Sequence, residues 1–166
     1  MDLGIALLRI VVGALFIGHG TQKLFGWFGG HGLEGTAGFM EALGYRPGKV
    51  HATLAGIAET LGGLLLVLGL FIPLACAAII AVMVNAIGSV HAQNGVWATE
   101  GGYEYNLVLG VAAMAMALYY GGGEWGGLAT LAGLGGGALT LSLRKQPAAD
   151  EAAADDEAER VERRAA

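Results

Sequence analysis

The sequence predicts an all-α fold, a transmembrane four-helix bundle that continues into a glycine-rich apolar segment and a charged tail. Three observations predict it. Hydrophobic residues make up 55% of the 166-residue chain and the mean hydropathy is +0.59, more apolar than an ordinary soluble domain. Four stretches are long enough to cross a bilayer with short connections. Charge is displaced to the end: up to Leu143 there are four basic and seven acidic residues, while another seven of the fourteen acids fall between Asp150 and Glu162. The net charge of −5 therefore says little about the body, since about half of all charged residues lie in the short tail.

The first span runs from Leu3 to Phe25, LGIALLRIVVGALFIGHGTQKLF, about 34 Å of helix. Met1-Asp2 leads directly into an apolar run longer than a secretory signal and interrupted by Arg9, so it reads as a retained span. The second span extends from about Val50 to Leu70 and the third from Pro73 to about His91. Only Phe71-Ile72 separates them, with Gly69 suited to ending one helix and Pro73 to opening the next, which predicts a tight helical hairpin. The fourth, Tyr103 to Tyr120, ends at Gly121-Gly122-Gly123. The segment from Trp125 to Leu143 is uncharged but holds six glycines in nineteen residues. It fits an interfacial, re-entrant or fifth-span placement, with the interfacial or partly inserted one favoured. The expected organisation is thus a bundle over residues 1–124, a glycine-rich segment over 125–143 and a disordered or weakly helical tail over 144–166. Gly13, Gly20, Gly56 and Gly63 lie at helical repeats, the pattern of helices packed closely in lipid.

Arg144 and Lys145 argue for a cytoplasmic C-terminus in a cell inner (plasma) membrane, and four spans then place the N-terminus on the same side. Lys23, Arg46 and Lys49, in or beside the first loop, pull the other way. No basic patch with interleaved aromatics appears, so nucleic acid is not an expected partner; the lipid bilayer is. Cys76 is the sole cysteine, which excludes an intrachain disulfide, a CxxC pair and a cysteine zinc site, and no metal site is expected.

Ionisable groups inside apolar spans are costly, roughly 2.5–3.5 kcal/mol each on insertion scales, and so mark candidate sites. Arg9, His19 and Lys23 lie in the first span and Glu59 in the second. If the chain zigzags, His19 and Lys23 share one end of the bundle with Glu59, with Asn85, Ser89 and His91 of the third span, and with Glu104, Tyr105 and Asn106 of the fourth. Arg9 lies deeper on nearly the same face as Lys23, and its permanent charge makes it the expected partner of Glu59. His19, His91 and Lys23 then remain nearer water, where proton exchange suits histidine. Plainer readings stand beside these: a snorkelling Lys23, a structural Arg9–Glu59 pair, an interhelical hydrogen bond at His19, and interface roles for His91, Trp97, Tyr103 and Tyr105. Haem ligation by His19 and His91 rests on two histidines alone, a weak signal. His31 and His51 carry no assigned role.

The stretches LRIVVGALFIGHGTQKLF, LGYRPG, GIAETLGGLLLVLGLFIPLAC, NAIGSVHAQNG and GGYEYNLVL together resemble the DoxX family of small bacterial membrane proteins over about residues 3–124. The most specific parts are HG..KL from His19 and E..GG.LL..G from Glu59. The resemblance implies a four-helix membrane protein associated with oxidoreductase systems. A related branch, DoxD, is a subunit of a thiosulfate:quinone oxidoreductase, and some members are proposed to organise redox-protective partners at the membrane. On that resemblance Arg9, His19, Lys23, Glu59 and Glu104 occupy family-pattern positions, whereas the chain beyond Glu124 departs from the usual short ending.

Two functions follow as expectations. In one, the chain is a membrane subunit of a redox system that holds a quinone or another small molecule near one membrane face, through Arg9, His19, Lys23, Glu59, Asn85, His91 and Glu104. A partner must then supply the electrons, since no side chain here carries them. In the other, the chain is a noncatalytic scaffold with a structural polar core that recruits partner proteins. A homo-oligomer is compatible with both.

Overall fold

The computed structural model describes residues 3–144 and is all-helical over that range. The expected tail, apart from Arg144, and the first two residues lie outside the described residues. Helix α1, Leu3–Phe25, has the predicted bounds. It buries Val12, Gly13, Phe16 and Gly20 on one face and exposes Leu7, Val11 and Leu15 on the other. A helix apolar all round is covered by protein on one side and lipid on the other. Helix α3, Gly48–Leu68, lies antiparallel to it. A Cβ at Gly13 would stand 2.6 Å from the Gly63 carbonyl oxygen, and one at Gly63 would stand 2.5 Å from that of Gly13. One at Gly20 would stand 2.7 Å from the Gly56 oxygen, so the two backbones touch where the glycine spacing predicts.

The α3 helix ends as its sequence implies. Gly69 adopts φ +76°, the Gly69 N–H bonds the Leu66 carbonyl at 3.1 Å, and the Leu70 N–H reaches back to Leu65 at 2.9 Å. Helix α4, Ile72–Ala86, starts at once, with Pro73 in the first turn where no donor is needed. A π turn over Ile87–His91 and a 3₁₀ turn over Ala92–Asn94 prolong it. The main core forms where Cys76, Ile79, Ile80 and Met83 of α4 meet Leu109, Ala113, Met116 and Ala117 of the next helix, with Phe16 and Leu66 closing it from the α1/α3 side.

Helix α5, Glu104–Ser142, is two rods rather than one, because Gly122 takes φ 64°, ψ 179°. That conformation is essentially confined to glycine. The chain reverses there: a Cβ at Gly126 would lie 2.4 Å from the Ala117 oxygen, and one at Gly121 would lie 3.1 Å from the Pro73 ring. Residues 104–121, the proximal arm, run antiparallel to α4, with Asn106 bonded to the Met83 sulfur at 3.7 Å. Residues 123–142, the distal arm, run parallel to it, placing Gly133 on Ala77 and Ile80, Gly137 on Val84, and Leu141 on Gly88.

Four helices are therefore long and apolar enough to cross a membrane, and the last folds back on itself. The glycine-rich segment is a helix that seats Gly126 on the proximal arm and Gly133 and Gly137 on α4, while Leu128, Leu131 and Leu139 face outward. Leu3 and Ser142 lie at opposite ends of the bundle.

The long first loop holds an unpredicted helix, α2, Gly32–Ala42. Thr36 Oγ1 ties it to the end of α1 by donating to the Lys23 carbonyl at 3.3 Å, and the Gly48 N–H ties α3 to it by donating to Glu41 Oε1 at 3.2 Å. This short helix roofs the end of the bundle that carries the polar residues.

Candidate functional site

Glu59 is buried between α1 and α3, and its Oε2 receives Lys23 Nζ at 2.5 Å. The expected Arg9–Glu59 pair does not form. The reason is the direction of helical side chains, which lean toward the N-terminus of their own helix. In an antiparallel pair, Lys23 on α1 leans down the bundle and Glu59 on α3 leans up it, so the two converge. Arg9 leans away from Glu59 and ends beside Gly69, ten residues further along α3 or about 15 Å of helix.

Above the ion pair opens a cleft of about 270 Å³ lined by His19, Gln22, Lys23, Gly29, Gly30, His31, Gly35, Thr36 and Phe39. Its floor is the last two turns of α1 and its wall is α2. Gly30 lets the loop fold back against α1, since a Cβ there would lie 2.5 Å from the Gln22 oxygen. His19 Nδ1 donates to Gln22 Oε1 at 3.2 Å, and Gln22 Nε2 donates to the Phe28 carbonyl at 3.3 Å. That arrangement leaves His19 Nε2 as the ring nitrogen available to a ligand. The lining thus offers an ammonium, an imidazole and a second histidine beside the Phe39 ring, a set suited to hydrogen-bonding a carbonyl or anionic group on a flat apolar molecule.

The family model for DoxX matches residues 4–92, more than half of the chain. The chain belongs to the DoxX family. With its apolar helices, it is a multi-pass integral membrane protein of that family. The matched stretch holds the whole cleft and both members of the ion pair, and it stops at Ala92, short of Glu104 and all of α5. Comparison with curated proteins and with solved structures gives no match.

The other residues proposed for the site of this DoxX protein are placed elsewhere. Asn85 spends its amide on structure: Nδ2 donates to the carbonyls of Ala81 and Gly137 at 2.9 and 3.0 Å, and Oδ1 accepts from Tyr45 Oη at 2.8 Å. It pins the α2–α3 connection and the distal arm to α4. Ser89 donates to the Asn85 carbonyl at 2.6 Å. His91 Nδ1 donates to the Gly101 carbonyl at 2.7 Å and Glu104 Oε2 accepts from the Ala98 N–H at 3.0 Å, so both brace the loop between α4 and α5. The predicted group of seven therefore resolves into His19, Lys23 and Glu59 together, Asn85 in a part-buried bracket, His91 and Glu104 at the two ends of the α4–α5 loop, and Arg9 at the far end. Sequence reasoning missed His31, Gln22 and Tyr45. Only His31 left a signal, as a histidine in the glycine-rich run directly after the first span.

Proposed function

We propose that this DoxX protein is the membrane subunit of a redox system and that its cleft holds the head group of a quinone or a similar carbonyl-bearing molecule. The observation that carries the reading is the gathering of His19, Gln22 and the Lys23–Glu59 pair at one open cleft near the membrane surface. The volume, about 270 Å³, accommodates a single substituted ring, with an isoprenoid tail left to run among the lipid-facing side chains. Lys23 Nζ donates to a ring carbonyl, and His19 Nε2, the acceptor nitrogen when Nδ1 donates to Gln22, accepts from the hydroxyl of the reduced quinol. Glu59 holds Lys23 in place, and Lys23 gives its proton to a carbonyl oxygen that is being reduced and regains one from water at the open side of the cleft. Bound quinone supplies the two-electron chemistry, and a partner protein supplies the electrons.

Titration of the purified protein with a short-tailed quinone such as decylubiquinone tests this reading. Saturable binding that weakens roughly tenfold in His19→Ala and in Glu59→Gln, with folding retained, is the expected result. Identical titrations in wild type and both variants would remove the cleft from the mechanism. A second reading, a partner-recruiting scaffold, is favoured by the way Lys23 and Glu59 satisfy each other and Asn85 and Tyr45 do the same. It predicts that partner recruitment survives those substitutions and is lost on deleting the tail from Gln146.

The membrane is the plasma membrane in this reading, and the orientation follows from charge. Lys23, Arg46, Lys49 and Arg144 all lie at the cleft end, while the opposite end, at the α3–α4 turn and Gly122, carries Glu124 and no lysine or arginine among the described residues except the deeper Arg9. The positive-inside rule puts the cleft and residue 144 in the cytoplasm and Leu3 on the outer side. A fifth crossing thereby removes the conflict between the first loop and Arg144.

A further inference from the structure

Arg9 is buried to 7% residual exposure, its Nε has no hydrogen-bond partner, and it makes no ion pair among the described residues. Its guanidinium occupies the space that a side chain at position 69 would fill: a Cβ on Gly69 would stand 2.0 Å from Nη1. Tyr120 closes the other side, with its ring centroid 5.9 Å from Arg9 Cζ. The Tyr120 hydroxyl is itself buried without a partner. These are the two buried side-chain polar atoms without partners among the described residues, and they belong to neighbouring side chains. The carbonyls of Leu65 and Leu66 that end α3 are already taken by Leu70 and Gly69.

A guanidinium is a fork of donors with no acceptor, and a phenol can donate one bond more, so the unpartnered Arg9 Nε and Tyr120 Oη suit an anionic oxygen ligand. The level of the site says where that oxygen comes from. Phe71, Tyr119 and Trp125, all more than half exposed, ring the same end of the bundle, and such belts sit at the depth of lipid headgroups. Arg9 is six residues from Leu3, about 9 Å of helix, and leans toward that end, within reach of the headgroup region. We propose that Arg9 and Tyr120 form a binding site for a phosphodiester, the headgroup phosphate of a phospholipid in the leaflet facing the α3–α4 turn. The site lies at the opposite end of the bundle from the cleft and does not depend on what the cleft binds.

Native mass spectrometry of the full chain in neutral detergent tests the proposal with three probes. These are phosphatidylglycerol, a diglucosyl diacylglycerol with the same acyl chains but no phosphate, and inorganic phosphate. Retention of phosphatidylglycerol over the glycolipid is expected, weakened roughly tenfold or more in Arg9→Gln and about threefold in Tyr120→Phe, as loss of a charge-assisted and of a neutral hydrogen bond implies. Arg9→Lys, which keeps the charge and loses the fork, should fall between wild type and Arg9→Gln. Protection by inorganic phosphate alone, abolished in Arg9→Gln, would keep the phosphate site and assign it to a soluble ligand. Equal retention of the two lipids with no effect of inorganic phosphate, or wild-type retention in the variants, would overturn it. Tyr120→Phe removes one unpartnered oxygen and keeps the test decisive if Arg9→Gln does not fold.

Discussion

Glu59 keeps 3% of its side chain exposed and Lys23 keeps 27%, so the two members of the pair are not equally costly to remove. Lys23→Met strands a carboxylate in a nearly sealed position and should destabilise the protein by about 3 kcal/mol. Glu59→Gln leaves an ammonium that can turn toward the cleft and water, and should cost about 1 kcal/mol. Thermal unfolding of both variants in one detergent checks this, and equal losses would mean that the burial of the pair is shared evenly. The gathering of His19, Lys23 and Glu59 was legible in the sequence because helix length and zigzag connectivity fix depth. The pairing was not. Gly13 meets Gly63 and Gly20 meets Gly56, so Arg9 lies well below the level of Glu59 on the facing helix, and the opposed lean of the two side chains carries it out of reach.

Among the elements, those announced by hydropathy with a glycine or proline at the boundary were readable: α1 to the residue, and the α3–α4 hairpin through Gly69 and Pro73. Two that are rich in glycine were not. α2 has Gly32, Gly35 and Gly38 in eleven residues, and the distal arm is richer still, so propensity argues against helix in both. In the distal arm packing overrides it, because Gly126, Gly133 and Gly137 allow the close backbone contact that is a main source of helix association in lipid. The same dependence makes the α1–α3 seam intolerant of volume. Gly63→Val would drive methyl groups into the Gly13 carbonyl and should cost roughly 1–3 kcal/mol, whereas Gly18→Val, where a Cβ meets nothing within 4 Å, should cost much less. A similar loss of melting temperature at both positions would show that the seam opens freely.

For the molecule as a whole, five rods give its two ends different surroundings, and the assigned orientation can be read from outside the cell. In intact cells, a membrane-impermeant maleimide should label Glu124→Cys and leave Lys49→Cys unlabelled until the membrane is opened, with buried Cys76 silent in both. The reverse pattern would invert the topology. The reversal at Gly122 has one more consequence. The distal arm lies against α4 over Ala77, Ala81 and Gly88, and Gly133 and Gly137 are what let it approach Ile80 and Val84 so closely. That flank of α4 is closed by the chain itself, and a chain cut short before residue 123 would leave it open.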